Sequence, residues 1–287
     1  MAQVLTVASV KGGVGKTTVA VNLAAGLASL GRYYRPEKPF QVLLIDLDPS
    51  CNSLSTIGST SGYHTTANRS IITLLKQSPP PSPQPFLKQS DYHPNLWFFP
   101  SNRLDFAEFI RDDLGKLAKR EDRLARALKP VRDWFEFIII DTPASPITSY
   151  IFSNAFMASS GILLCVEPAE LAVDGMQALI AEINQSCADL DHEVPILGII
   201  PTKVKKRGSI GLGLMQEINR RYKDLVTPPS HMSELIERMY LDHKDLFASS
   251  PLFWEKRSGD PDEEKITPVS EFGSIILDLL VKLGYDI

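Results

Sequence analysis

Six short apolar runs, at 4–10, 42–47, 96–99, 137–140, 162–166 and 196–200, recur along the chain between longer stretches with helical spacing. A strand that is apolar at every position has no face for solvent, so both of its sides must be covered. The arrangement that covers them is a parallel sheet wrapped by crossover helices, which predicts a doubly wound, mostly parallel α/β fold. Residues 17–30 read as one such helix, rich in Ala and Leu, and Val173, Met176, Leu179, Ile180 and Ile183 mark one face of another. At 287 residues the chain is long for one domain, but α/β domains with insertions reach that size, so a single domain over 1–287 is expected. Insertions are expected near 32–40, where the turn before the second strand is lengthened, and near 78–90. The second contains the run Ser78-Pro79-Pro80-Pro81-Ser82-Pro83-Gln84-Pro85, whose prolines lack amide donors and suit a surface loop.

Composition removes several classes. No apolar run approaches the roughly 20 residues that span a bilayer. The 30 basic against 34 acidic residues give a net charge of −4, which excludes a uniformly basic nucleic-acid coat but leaves room for a local patch. Three scattered cysteines make no disulfide framework and suit a reducing compartment. The first residues run directly into a strand pattern without a basic leader, so a cytoplasmic protein is expected.

The chemistry begins at Lys11-Gly12-Gly13-Val14-Gly15-Lys16-Thr17-Thr18, between a predicted strand and a predicted helix. There the backbone can aim successive N–H groups at an anion, helped by the positive end of the helix dipole. Glycines let the main chain close around a phosphate without Cβ clashes. In that geometry Lys16 lies against the β- and γ-phosphates, and the Thr17 hydroxyl is a hard-oxygen ligand for Mg²⁺.

Two further runs end in carboxylates. Leu43-Leu44-Ile45-Asp46-Leu47-Asp48-Pro49 places Asp46 and Asp48 at alternate positions, which in a strand face the same side. Phe137-Ile138-Ile139-Ile140-Asp141-Thr142-Pro143 ends in Asp141. Carboxylates at the carboxyl edge of a parallel sheet sit where ligands of open α/β sheets bind, and one held by a rigid strand orients the water shell of Mg²⁺. Taken alone, each aspartate equally suits a helix N-cap or a loop. Beside the glycine loop, Thr17, Asp46, Asp48 and Asp141 form a candidate metal set.

The loop departs from the ordinary P-loop pattern: Val10 holds the place of its first glycine, and a second lysine, Lys11, stands beside it. In this it resembles the deviant Walker A ATPases, and within them the ParA branch of partition and positioning ATPases. Asp46-Leu47-Asp48-Pro49-Ser50-Cys51-Asn52, Pro100-Ser101-Asn102 with Leu104, Ala107 and Glu108, and Glu167-Pro168 with Leu171-Ala172 and Gly175 are similar to ParA segments, so the resemblance extends to about residue 200. It implies ATP and Mg²⁺ as cofactors and an ATP-sandwich homodimer in which Lys11 reaches the partner's phosphates. It implies further that Asp48 positions the attacking water and that Asp141 is the Walker B acid. Pro201-Thr202-Lys203 follows a strand and is placed to face the base. The catalytic set is then Lys11, Lys16 and Asp48, and the nucleotide set is residues 11–18 with Pro201 and Thr202.

Within the wider family, the cysteines at 51, 165 and 187 have no C-x-x-C spacing for a cluster. A MinD-like membrane cycle needs a basic amphipathic helix. Phe272, Ile275, Ile276, Leu279, Leu280 and Leu283 do form an apolar stripe, but Glu271, Asp278, Lys282 and Asp286 flank it, so a packing helix near 268–284 is expected. The ParA-like reading implies non-specific DNA binding by the ATP dimer at the nucleoid and a ParB-like or other cargo adaptor that stimulates hydrolysis. Lys203, Lys205, Lys206, Arg207, Arg220, Arg221 and Lys223 are the candidate DNA contacts. In isolation such a run also suits a solvated face. Where many ParA proteins carry an Ile-Pro-Arg stretch, this chain has Val226-Thr227-Pro228-Pro229-Ser230-His231, without the arginine. The alternatives are a MinD-like membrane-cycling ATPase and, from another class, an ATP-dependent ligase or transferase like dethiobiotin synthetase, which activates a carboxylate at the same phosphate site.

Overall fold

The computed structural model describes residues 2–9, 11–57, 70–101, 103–144, 149–168, 172–205, 209–257 and 267–286. Successive residues within each apolar run enter opposite cores. Val4, Leu43, Ile45, Ile138 and Ile140 join the cluster on one face, whereas Leu5, Leu44, Ile139 and Leu163 join the cluster on the other. The strands are therefore buried on both sides, as the uninterrupted apolar pattern requires.

The strands are β1 (Gln3–Ala8), β2 (Val42–Asp46), β3 (Lys88–Gln89), β4 (Leu96–Phe98), β5 (Phe137–Asp141), β6 (Gly161–Val166) and β7 (Ile196–Pro201). They form one sheet in the order β3-β4-β2-β5-β1-β6-β7. All pairings are parallel except that of β3 with β4. The predicted doubly wound, mostly parallel sheet is thus observed. The sequence pattern does not reveal β3, because two exposed residues after a proline-rich loop carry no apolar signal.

Helix α1 (Lys16–Tyr34) lies against the sheet, with α2 (Leu54–Ile57) beside it. On the other face run α3 (Ile71–Lys76), α4 (Arg103–Glu108), α5 (Arg123–Leu128), α6 (Tyr150–Ala158), α7 (Ala172–Asp189) and α8 (Ser209–Tyr222). Helices α9 (Glu234–Leu241), α10 (Leu246–Ser249), α11 (Phe253–Arg257) and α12 (Pro268–Lys282) close over α1. In α12, Phe272, Ile275, Ile276, Leu279 and Leu280 are buried in the α1 core, and Leu283 packs against it. The apolar stripe is consumed by internal packing. No helix among the described residues is long and apolar enough to cross a membrane.

Helix α1 runs four residues beyond the predicted end at Leu30. Glycine is the usual signal for a helix stop, but Gly31 instead permits a close approach: a Cβ there would lie 2.6 Å from the Phe40 backbone N. The expected insertion near 32–40 is therefore helical as far as Tyr34 and a short loop only afterwards. Asn95 ties this corner together by donating to the carbonyls of Ala28 at 2.8 Å and Phe40 at 2.7 Å.

Gly31→Ala is expected to destabilise the protein by about 1–3 kcal/mol through overpacking, despite a helix-propensity gain of about 1 kcal/mol. Urea denaturation read by circular dichroism checks this, and a more stable variant would refute the close-packing role.

Candidate phosphate and metal site

The connection from β1 to α1 wraps its backbone through two left-handed glycines, Gly13 at φ 76° and Gly15 at φ 94°. Gly15 is the residue before the first turn of α1, and no side chain caps that helix end. Its N–H groups, with the dipole behind them, are left for an anion. The loop is anchored from beneath, because the Thr202 hydroxyl at the end of β7 donates to the Val14 carbonyl at 2.6 Å.

The two lysines of the loop have opposite surroundings. Lys16 is buried, and its ammonium donates to the Lys11 carbonyl at 3.3 Å, inside the curl of the loop. Lys11 is exposed, and its side chain makes no hydrogen bond or ion pair among the described residues. Thr17 and Thr18 follow on the first turn. The Thr18 hydroxyl is shared with the Tyr240 hydroxyl at 2.7 Å, which fastens α9 to α1. Burial pushes the Tyr240 phenol up to about 12, so it stays a neutral partner.

Asp46 and Asp141 are register partners at the carboxyl ends of the adjacent strands β2 and β5. Their environments differ. Asp46 accepts from the Asp48 N–H at 2.9 Å, the Ser53 N–H at 3.1 Å and the Ser53 hydroxyl at 2.5 Å. Asp46 therefore braces the turn that carries Asp48, and the two aspartates are not successive positions of one strand: β2 ends at Asp46. Asp48 lines the cavity above, where one of its oxygens accepts from the Ser50 N–H at 2.8 Å. Both oxygens of Asp141 are buried without a hydrogen-bond partner among the described residues.

Burial pushes Asp46 up to about 7, against the hydrogen bonds from Ser53 and the Asp48 backbone. Burial, followed by the charge of Asp46, holds Asp141 well above the usual carboxylate range, with Thr17 and Lys16 opposing. Two neighbouring carboxyls that resist ionisation, one of them unpartnered, fit a site completed by a cation. Thr17 and Asp48 offer further hard oxygens, and Mg²⁺ needs few protein ligands when phosphate and water supply the rest.

The cavity over the loop has a volume of about 420 Å³. Gly13, Gly15, Lys16, Thr17 and Thr18 form its floor, and Asp48 with Asn52 one wall. Thr202 and Lys203 line it, whereas Pro201 is buried at the end of β7. The opposite wall was not legible in the sequence: Ser230, His231, Met232 and Ser233, then Ile236, Glu237 and Tyr240 of α9. The only signal there is Ser233, which caps α9 by accepting from the Leu235 N–H at 3.2 Å. It marks a helix start without saying where the helix docks.

The candidate DNA residues are not gathered into one patch. Lys203 faces the nucleotide cavity with φ 54°, and Lys205 is exposed beside it. Lys206 and Arg207 lie outside the described residues. Arg220 and Arg221 stand in the last turn of α8, with Lys223 just beyond. Both arginines pair with Glu217, at 2.8 Å and 2.5 Å, which holds its carboxyl down at about 2. The three cysteines are kept as thiols by burial, Cys51 at about 12. Among the described residues no group of three or more His, Cys, Asp or Glu side chains is placed to hold a metal without other ligands.

A glycine loop between the first strand and first helix of a parallel sheet, with acids at the ends of adjacent strands, defines a P-loop nucleoside triphosphatase fold. A model of the AAA domain family matches residues 2–196. An uncharacterized protein of Pseudomonas putida is 31% identical over 259 residues, 90% of each chain. The chromosome-partitioning ATPase Soj of Thermus thermophilus is 31% identical over 198 residues, 69% of this chain and 68% of that one. The structure of Cyanothece McdA in complex with ATP superposes with a TM-score of 0.76 at 22% identity, covering 100% of this chain and 98% of that one. The chain belongs to the ParA/Soj family of P-loop partition ATPases.

Because Asp46 and Asp141 hold protons in the native state that the unfolded chain has lost above about pH 4, stability without nucleotide and metal should fall as pH rises from 4 towards 7. Asp141→Asn should flatten that fall. Thermal melts across this range in a metal chelator check it, and a wild-type midpoint that rises over the window would contradict it.

Proposed function

We propose that the chain is an Mg²⁺-dependent ATPase that dimerises around two ATP molecules. In that state it binds DNA without sequence preference, and it positions a cargo through hydrolysis stimulated by a ParB-like or other adaptor. The observation that carries this reading is the contrast between its two loop lysines. Lys16 lies inside the loop, where it neutralises β- and γ-phosphate charge. Lys11, exposed at the rim and with no side-chain partner among the described residues, is placed to reach the phosphates of a second subunit, as a charge supplied in trans.

The other residues fall into roles around these two. The Thr17 hydroxyl and the orphaned Asp141 carboxylate would hold Mg²⁺, directly or through water, and Asp46 keeps the neighbouring turn in place. Bound Mg²⁺ supplies neutralisation of the phosphate oxygens. Asp48 has one oxygen committed to Ser50 and the other without a hydrogen bond among the described residues, and that oxygen can orient water towards the terminal phosphate. The wall made by 230–240 is left for the nucleoside. DNA contact is assigned to Lys205, Lys206 and Arg207 and to Arg220, Arg221 and Lys223, of which Lys205 is exposed beside the cavity and the last three stand at the end of α8. Dimerisation doubles both sets.

Lys16→Ala should abolish ATP binding, whereas Lys11→Ala should bind ATP yet neither dimerise nor hydrolyse. Asp48→Ala should accumulate an ATP dimer with little turnover. Calorimetry, light scattering and phosphate release separate these outcomes, and equal loss of ATP affinity in both lysine variants would reject the role of Lys11 in trans.

DNA binding by the ATP dimer should weaken with salt at a log–log slope of about −5, for roughly six neutralised phosphates. Charge reversal at Lys205 and Arg220 together should flatten the slope and leave dimerisation unchanged. An ATP dimer that does not bind duplex DNA at low salt would refute the nucleic-acid assignment.

A further inference from the structure

The segment that follows α8 returns alongside β7. Ile199 pairs with Val226 and Val204 with His231, and the Ser230 N–H donates to the Pro201 carbonyl at 2.8 Å. This delivers His231 to the cavity wall beside Thr202 and Lys203. Its position there is fixed twice by one residue of α12: a Glu271 oxygen accepts from the His231 backbone N–H at 2.9 Å, and the other lies 2.7 Å from the ring Nδ1. Glu271 is buried, on the last helix of the chain, within a turn that begins with the Thr267–Ser270 capping box.

A carboxylate that takes one N–H from the backbone and faces Nδ1 with its second oxygen selects the tautomer with the proton on Nδ1. In the neutral ring the other nitrogen, Nε2, is then a bare acceptor, and no hydrogen bond occupies it among the described residues. The neighbouring surface is suited to a flat heteroaromatic ring: Met232, Ile236 and Phe272 supply apolar contact, and His231 supplies polar selection at the edge.

We infer that His231, positioned by Glu271, is the residue that selects the base of the bound nucleotide, its Nε2 accepting a hydrogen bond from the exocyclic amino group of adenine. The inference rests on the nucleotide-binding reading given above. Guanine and hypoxanthine carry a carbonyl oxygen where adenine carries this amino group, so they set acceptor against acceptor. A site built around a polar contact rejects the ligand that cannot complete it, because its own buried group is left unpaired. Glu271 acts only through His231 and is a positioning residue. Through it, α12 reaches the site although it contributes nothing to the phosphate loop.

The test is competition of ATP, GTP and inosine triphosphate against a fluorescent ATP analogue on the full chain with Mg²⁺, with inorganic tripolyphosphate as the control for the phosphate loop. Wild type should prefer ATP over inosine triphosphate by about tenfold or more, the order of one hydrogen bond with its unpaired partner. His231→Leu should bring that ratio near unity while tripolyphosphate binding is kept. His231→Gln should restore much of it, since an amide can donate to Glu271 and accept from adenine. Glu271→Gln should lower it several-fold by releasing the ring. An unchanged ratio in His231→Leu overturns the inference and leaves the ATPase reading standing. Equal weakening of all three nucleotides assigns His231 to the shared ribose and also overturns it. Wild type that binds tripolyphosphate and every nucleotide alike refutes base selection, whereas wild type that binds none of them refutes the nucleotide reading itself.

Discussion

Helix α1 is buried on nearly every side, and the rest of the molecule is arranged around that fact. One side rests on β1, β2 and β5, and the other is covered by α10, α11 and α12. Small residues make this possible: Ala24, Ala25 and Ala28 are fully buried, Gly26 lets Ile276 and Phe247 close on the helix, and Gly31 lets the Phe40 backbone pass. A helix clamped in this way cannot tilt, so the glycine loop at its N-terminus is held in place as well. Thr202 completes the clamp from β7 by bonding the loop carbonyl at Val14. The phosphate loop is thus anchored at the end of a helix that is itself largely buried.

Charge at the sheet edge is deliberately unbalanced. Two carboxyls on neighbouring strands, removed from water, are costly to ionise together. Asp46 offsets that cost with three hydrogen bonds from its own turn, whereas Asp141, with only Thr17 and Lys16 opposing its shift, meets no hydrogen-bond geometry among the described residues. The consequence is a division of labour: one acid shapes the loop that carries Asp48, and the other retains free oxygens beneath Thr17. A divalent cation with a phosphate chain is the kind of ligand that satisfies both the acids and the loop N–H groups at once.

Helices α9–α12, outside α1, link distant parts of the chain to this site. Asn22 of α1 donates to the Thr18 carbonyl and to the Met239 sulfur of α9 and accepts from the Leu246 N–H of α10. Tyr240 meets Thr18, and Glu271 of α12 grips His231. Helices α9–α12 are therefore part of the nucleotide cavity as well as a cover for the core. Behind them, buried His93 on the β3–β4 side pairs with Asp245 at 3.0 Å, and Asp245 caps α10 by accepting from the Ala248 N–H.

Local periodicity and local chemistry were legible in the amino-acid order: six of the seven strands, the helix after the glycine loop, and the placement of Lys11–Thr18, Asp46 and Asp141 at strand ends. These follow from contacts within a few residues, where backbone geometry leaves little choice. The sequence missed β3 because its two residues are exposed, and it stopped α1 early because a glycine that permits close packing looks the same as one that ends a helix. What only the tertiary structure decided is which residues meet across long loops. It placed Arg220 and Arg221 in the last turn of α8, turned Lys203 to the cavity, and brought His231 against Glu271 forty residues away. Such pairings depend on how α8 returns to β7 and how α12 docks on α1, and no spacing along the chain encodes either.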